Sequence, residues 1–128
     1  MIKYKVKVFD NKAEWYLNGK RHREDGPAIE YADGSKEWYL NGQLHREDGP
    51  ACEYSSGSKY WYLNGKKHRE DGPAVEYANG DKSWYLNGEE LTEKEFLNRS
   101  SHKLVIDGKE IIISNNSFNE IKKFFQGE

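Results

Sequence analysis

A 23-residue unit recurs without a gap through the middle of this chain. WYLNGKRHREDGPAIEYADGSKE (15–37), WYLNGQLHREDGPACEYSSGSKY (38–60) and WYLNGKKHREDGPAVEYANGDKS (61–83) align position for position, and a fourth WYLNG opens at Trp84. Self-similarity at a period of roughly 20 to 50 residues marks a stacked architecture, because one supersecondary unit cannot bury its own apolar face and its neighbours must do so. The fourth copy departs at Glu89-Glu90-Leu91-Thr92. The chain therefore divides into an N-terminal capping strand (1–14), a repeat array (15–90, as 15–37, 38–60, 61–83 and a partial 84–90) and a C-terminal cap (91–128).

Each unit reads as a β-meander. Trp-Tyr-Leu followed by Asn-Gly is a hairpin signal, since both central residues of a type I′ turn need positive φ. Glu-Asp-Gly-Pro breaks the chain again. Ala-Ile-Glu-Tyr is a strand, and Ala32-Asp33-Gly34, Ser55-Ser56-Gly57 and Ala78-Asn79-Gly80 reverse it into the next unit. Alternation puts Trp15 with Leu17, and Ile29 with Tyr31, on common faces, so each unit offers about four large apolar groups to one side. A shift of 23 sets Val6 under Ile29 and Val8 under Tyr31, with Lys3, Lys5 and Lys7 guarding the edge.

The C-terminal cap differs in kind. Thr92 to Glu95 fits a capping box with Leu91 and Phe96 at staple positions, and Ser117 to Glu120 fits a second one. Between them, Leu104-Val105-Ile106, Asp107-Gly108 and Ile111-Ile112-Ile113 predict a hairpin buried on both faces. Phe118, Ile121 and Phe124 or Phe125 form an apolar helical stripe that would cover the hairpin. Residues 98–103, without an apolar side chain, read as a linker. The expected fold is mainly β: tandem hairpin repeats in an elongated, curved antiparallel meander sheet with a small helix, hairpin and helix cap.

Composition narrows the function classes. Hydrophobic residues make up only 35% of the 128, which would suggest disorder, but 14% are aromatic and the repeat is strict, so order has to come from the aromatics. Lys+Arg 20 against Asp+Glu 22 gives a formal charge of -2, so no basic field supports general nucleic-acid binding. The single Cys52 excludes an intramolecular disulfide. No apolar run reaches the roughly 20 residues of a membrane helix, and MIKYKVKVFD alternates instead of forming an apolar signal segment; a cytoplasmic, reducing location is expected.

His22-Arg23-Glu24-Asp25 recurs at His45-Arg46-Glu47-Asp48 and His68-Arg69-Glu70-Asp71. Histidine beside carboxylates is raw material for acid-base catalysis or metal binding. Against this, an active site is one asymmetric constellation, whereas a motif kept in every repeat is what ladders and turns produce. Equivalent histidines lie two strand spacings apart, roughly 9 to 10 Å, too far to share one metal. Arg and Glu of successive rungs are expected to pair. Two readings stay open for the row, structural ladder or ligand contact. Tyr16, Tyr39 and Tyr62, pointing away from the adjacent tryptophans, are the matching aromatic candidates. Cys52 aligns with Ile29 and Val75 and reads as a small core residue. No P-loop, dinucleotide fingerprint, nucleophile elbow or cysteine-pair metal site is present, and no cofactor is implied.

Asn18-Gly19-Lys20, Asn64-Gly65-Lys66, Asp33-Gly34 and the aromatic positions resemble the MORN (membrane occupation and recognition nexus) repeat, whose units are β-hairpins stacked into an extended curved sheet. The Arg-Glu-Asp before Gly26, Gly49 and Gly72 departs from that pattern, as in a divergent relative. The wording WYLNG and HREDGPA with a closing NGEELTEKEF is similar to uncharacterised repeat proteins of bacteriophages and large DNA viruses. The resemblance spans 8–97 and implies a protein-binding scaffold, in a viral setting one acting on a host factor in the host cytoplasm. The family's link to lipids is weakened here by two acids for each base.

Together these readings predict a noncatalytic module that binds a partner protein, with homo-oligomerisation open. Its candidate contact residues are Tyr16, Arg23, Tyr39, Arg46, Tyr62 and Arg69, with His22, His45 and His68. The competing class is a sequestering protein for a nucleotide-like small molecule that counters host defence signalling, for which an arginine and aromatic row is suitable equipment. An enzyme built on the C-terminal piece is the weakest reading, since that piece carries no catalytic set.

Overall fold

The structure, a computed structural model, describes residues 2–99 and 101–125; the side chains at 101, 102, 114–116, 118, 124 and 125 lie outside the described part. The fold is mainly β, an antiparallel sheet of hairpins followed by a small C-terminal part containing the helices. Two compact units divide it, Met1–Glu90 and Leu91–Glu128.

In the first unit the strands run β1 (Lys5–Val8), β2 (Lys12–Leu17), β3 (Lys20–Arg21), β4 (Ile29–Tyr31), β5 (Lys36–Glu37), β6 (Tyr39–Leu40), β7 (Gln43–Leu44), β8 (Cys52–Glu53), β9 (Lys59–Tyr60), β10 (Tyr62–Leu63), β11 (Lys66–Lys67), β12 (Val75–Glu76), β13 (Lys82–Leu86) and β14 (Glu89–Leu91). The main sheet has the order β1-β2-β4-β5-β8-β9-β12-β13-β14, so each repeat contributes two neighbouring strands to it. Tight Asn-Gly hairpins project from this ladder as β2-β3, β6-β7 and β10-β11. Asn18, Asn41, Asn64 and Asn87 have φ of 50 to 51°, and the glycine after each is also left-handed, as a type I′ turn demands.

In the two central repeats strand pairing is interrupted at tryptophan. The Trp38 amide donates to the Ala51 carbonyl at 2.8 Å, and its own carbonyl accepts from the His45 amide at 3.0 Å, as Trp15 does with Ala28 and His22. Trp61 repeats both bonds with Ala74 and His68. Only β2 and β13, at the ends of the array, are unbroken at their Trp15 and Trp84.

The core differs from the one expected from simple alternation. The fully buried residues are consecutive pairs, Ala28 with Ile29, Ala51 with Cys52 and Ala74 with Val75, while the tryptophans are half-buried. Alternation cannot put neighbours inside together, but Ala28, Ala51 and Ala74 precede their strands, where the chain still carries the turn from Gly-Pro. Above this core Glu37 accepts from two tyrosine hydroxyls, Tyr31 at 3.0 Å and Tyr54 of the next repeat at 2.9 Å. The turns are laddered as well: the Ser35 hydroxyl accepts the Ser55 amide at 2.9 Å, and that of Ser58 accepts the Ala78 amide at 3.0 Å.

The N-terminal strand is offset by one residue from the repeat register. Val6 stands opposite Trp15 and Lys7 opposite Glu14, whereas Ile29 stands opposite Glu14 on one side and Glu37 on the other. β2 is one unbroken strand through Trp15, and the 23-residue shift fails there.

In the second unit, α1 (Glu93–Leu97) starts at the Thr92 N-cap with the capping box closed in both directions, Glu95 amide to Thr92 hydroxyl at 3.1 Å and Thr92 amide to Glu95 carboxylate at 2.9 Å. Strands β15 (Ser101–Ile106) and β16 (Lys109–Ser114) form a hairpin over the Asp107-Gly108 turn, and α2 (Asn115–Phe125) packs on both. Three expectations need correction. The linker does not extend to 103, because Ser101 and His102 are drawn into β15 opposite Ser114 and Ile113. The hairpin is not buried on both faces, since Val105 and Ile112 are 66% and 72% exposed. Nor does α2 wait for Ser117: the chain enters the helix as soon as the ladder ends, on residues that themselves favour helix starts. The Phe118, Phe124 and Phe125 part of the expected stripe lies outside the described side chains.

Candidate functional site

The His-Arg-Glu-Asp segments form one local structure repeated three times. The Arg23 guanidinium lies 3.9 Å from the Trp15 ring centroid, a cation-π stack. Its Nε donates to Asp25 at 3.0 Å, and its Nη1 donates to the Pro27 carbonyl at 3.2 Å and to Glu30 at 2.8 Å. Arg46 does the same with Trp38, Asp48, Pro50 and Glu53, and Arg69 with Trp61, Asp71, Pro73 and Glu76. The arginine pairs are thus within one repeat, not across rungs as the ladder expectation had it. Gly26, Gly49 and Gly72 leave room for them, since a Cβ at each would stand 3.1 Å from the arginine Cζ.

The histidines tie repeats together. The Nδ1 of His22, His45 and His68 accepts the backbone amide of Asn41, Asn64 and Asn87 respectively, each at 2.9 Å. Each ring therefore has an unprotonated Nδ1. The Nε2 of His22 and His45 faces Glu24 and Glu47 at 3.4 and 3.7 Å. Backbone bonds run beside this link: the Arg23 amide donates to Tyr39 and the Gly42 amide to Arg21.

Tyr16, Tyr39 and Tyr62 are half-buried, and none lines the grooves described next. The Tyr16 hydroxyl donates to the buried Glu14 at 2.5 Å, while Lys7 sits over its ring at 4.6 Å and Arg21 over that of Tyr39 at 5.5 Å. Burial pushes the Tyr39 and Tyr62 hydroxyls above their ordinary range. The structure therefore joins the histidines and arginines in one place and sets the tyrosines elsewhere.

What the repeated segments leave open is a row of grooves. One, of about 700 Å³, lies between Arg23–Pro27 and the next repeat, with Trp38 and Leu40 as its apolar part and Glu24, Asp25, Glu47 and Asp48 as its acidic part. The second, about 630 Å³, repeats this with Trp61, Leu63, Glu47, Asp48, Glu70 and Asp71. Each arginine, +1, bonds two carboxylates, Asp25 and Glu30 in the first copy, while Glu24 faces the histidine; the Asp25, Asp48 and Asp71 side chains remain 83 to 87% exposed, and those of Glu24, Glu47 and Glu70 61 to 84%. Sequence reasoning singled out the arginines and passed over these acids. The signal was present, as two acids per base in every copy, but without the Trp-Arg stack nothing said which charges were engaged.

Among the described residues no His, Cys, Asp and Glu group could hold a metal ion, and no buried polar side-chain atom lacks a hydrogen-bond partner. Cys52 is buried beside Tyr54, and burial pushes its thiol up to about 11. No helix among the described residues is long and apolar enough to cross a membrane. No family model, curated protein or solved structure matches this chain.

Proposed function

We propose that the chain is a noncatalytic interaction module that holds a partner protein by its basic side chains, laid along the grooves of the repeat array. The observation that carries this reading is the charge of each groove once its internal pairs are counted. Two arginines, both stacked and hydrogen-bonded, stand in each groove against four carboxylates from two exposed Glu-Asp pairs. A lysine or arginine of a partner meets carboxylates there beside the apolar surface of Trp38 or Trp61, a combination suited to long cationic side chains with aliphatic stems. The same charge disfavours a phosphate, which argues against the nucleotide-sequestering class.

Spacing sharpens the proposal. Equivalent positions in the array recur every two strands, roughly 9 to 10 Å. A polyproline II segment advances about 9.3 Å in three residues, so arginines at every third position would meet successive grooves.

Fluorescence anisotropy with a proline-rich peptide carrying arginine at every third position tests this. Binding by the native chain is expected, weakened at least about 10-fold by the combined Glu24→Gln, Glu47→Gln and Glu70→Gln variant with its circular dichroism unchanged. Absence of binding, or equal binding by that variant, overturns the reading.

A further inference from the structure

The hairpin of the second unit is a sheet of two strands. Among the described residues β15 pairs only with β16, and α2 packs on both. A two-stranded sheet is marginal in water unless it gains strands or a covering layer. Residues 104–106 and 111–113, Leu-Val-Ile and Ile-Ile-Ile, have the composition of central strands instead of edges. On one face Leu104 and Ile113 are half-buried beside the exposed Ile106 and Ile111, while Val105 and Ile112 on the opposite face are the most open.

The backbone of β16 is built to meet its own copy. Ile106 and Lys109 close the two-residue turn as a hydrogen-bonded pair, so Lys109, Ile111 and Ile113 direct their amides to β15. Glu110, Ile112 and Ser114 therefore direct theirs outward. Outward residues can pair only with outward residues, which limits the registers of an antiparallel self-pairing. The one using all three sets Ile112 against Ile112 of the second copy at the two-fold axis, Glu110 against Ser114, and Ile111 against Ile113, with about six backbone hydrogen bonds. No like charges meet in it. The other edge is less suitable: on β15, Lys103 stands near the middle of the strand, a common device against edge pairing.

We propose that the chain forms a symmetric dimer through β16, giving a continuous four-stranded antiparallel sheet from the two hairpins. Its occupant is a second copy, because the strand is self-complementary in apolar pattern, hydrogen-bond parity and charge. The two α2 helices come to lie on the same face of that sheet, the face of Leu104 and Ile113. The dimer carries two repeat arrays on one assembly.

Sedimentation velocity on the full chain tests this with single substitutions on the exposed face. Native protein is expected as a dimer at micromolar concentrations. Ile112→Lys, which opposes two ammonium groups at the axis, should raise the dissociation constant roughly 10-fold or more. Val105→Lys, on the same face but on the outer strand of the dimer sheet, should leave dimerisation intact. Mixing Ile112→Lys with Ile112→Glu should restore a dimer of the two variants, which separates a charge clash from a folding defect. A native chain that sediments as a monomer, an Ile112→Lys protein that stays dimeric, or a mixture that fails to recover the dimer overturns the proposal.

Discussion

The Nδ1 of His22 accepts the backbone amide of Asn41, 19 residues further on, at 2.9 Å. A side chain from one repeat thereby fixes the turn that opens the hairpin of the next, and His45 and His68 do so again. A histidine used in this way is an acceptor with an assigned partner, which is why its recurrence beside carboxylates reads as architecture.

His22 is 5% exposed, so removing its ring leaves an amide without its acceptor at a packed position. His22→Ala should lower stability by about 1 to 3 kcal/mol. Chemical denaturation followed by tryptophan fluorescence reads this directly, and a change near zero would show that water replaces the ring.

Arg46, Trp38 and Gly49 act as one group. Arg46→Ala should cost about 2 kcal/mol, allowing for the screening of half-exposed ion pairs, whereas Glu47→Gln should stay within about 0.5 kcal/mol. Gly49→Ala should cost about 1 kcal/mol in the native chain and much less when Arg46 is already alanine, because the crowding it creates is with that guanidinium. Additive costs in a double-mutant cycle would contradict the packing described here.

Glu14 is buried and held below the ordinary glutamate value of 4.5, first by the Tyr16 hydroxyl and then by Lys12 and Arg21, which together outweigh its desolvation. A lowered folded-state value contributes stability that is present above the unfolded value and is lost as pH falls through the folded one. Denaturation midpoints should therefore decline below about pH 4.5, and Glu14→Gln should make that decline shallower. An unchanged slope would show that other carboxylates govern it.

The Cys52 thiol, raised to about 11 by burial, stays protonated in the folded state at mildly alkaline pH. Alkylation should be slow in native buffer and fast after unfolding. Since the folded form disfavours the thiolate, Cys52 also withdraws stability as pH rises above its ordinary value of 9. Prompt labelling of native protein would place the thiol at the surface instead.

Much of the fold was legible because it depends on residues with few conformational options. Asn-Gly needs positive φ twice, Thr92 and Glu95 have a reciprocal cap to make, and a gapless 23-residue period must stack. The break in strand pairing at Trp38 and Trp61 was not legible, since the Trp-Tyr-Leu wording is the same in all four copies. At the site, the repeated segment was visible but its division of labour was not. Which of Arg46, Glu47 and Asp48 faces outward depends on the stack against Trp38 and on the space above Gly49, both of which exist only once the turn is folded.

The most direct test of the interaction account is to follow the four indole N–H resonances of the native chain by heteronuclear NMR during titration with the arginine-every-third-residue peptide. Trp38 and Trp61, which line the two grooves, should shift in proportion to bound peptide, and the shifts should vanish in the combined Glu24→Gln, Glu47→Gln and Glu70→Gln variant. Binding that leaves both indoles unmoved while perturbing the Tyr16 and Tyr39 surface would contradict it.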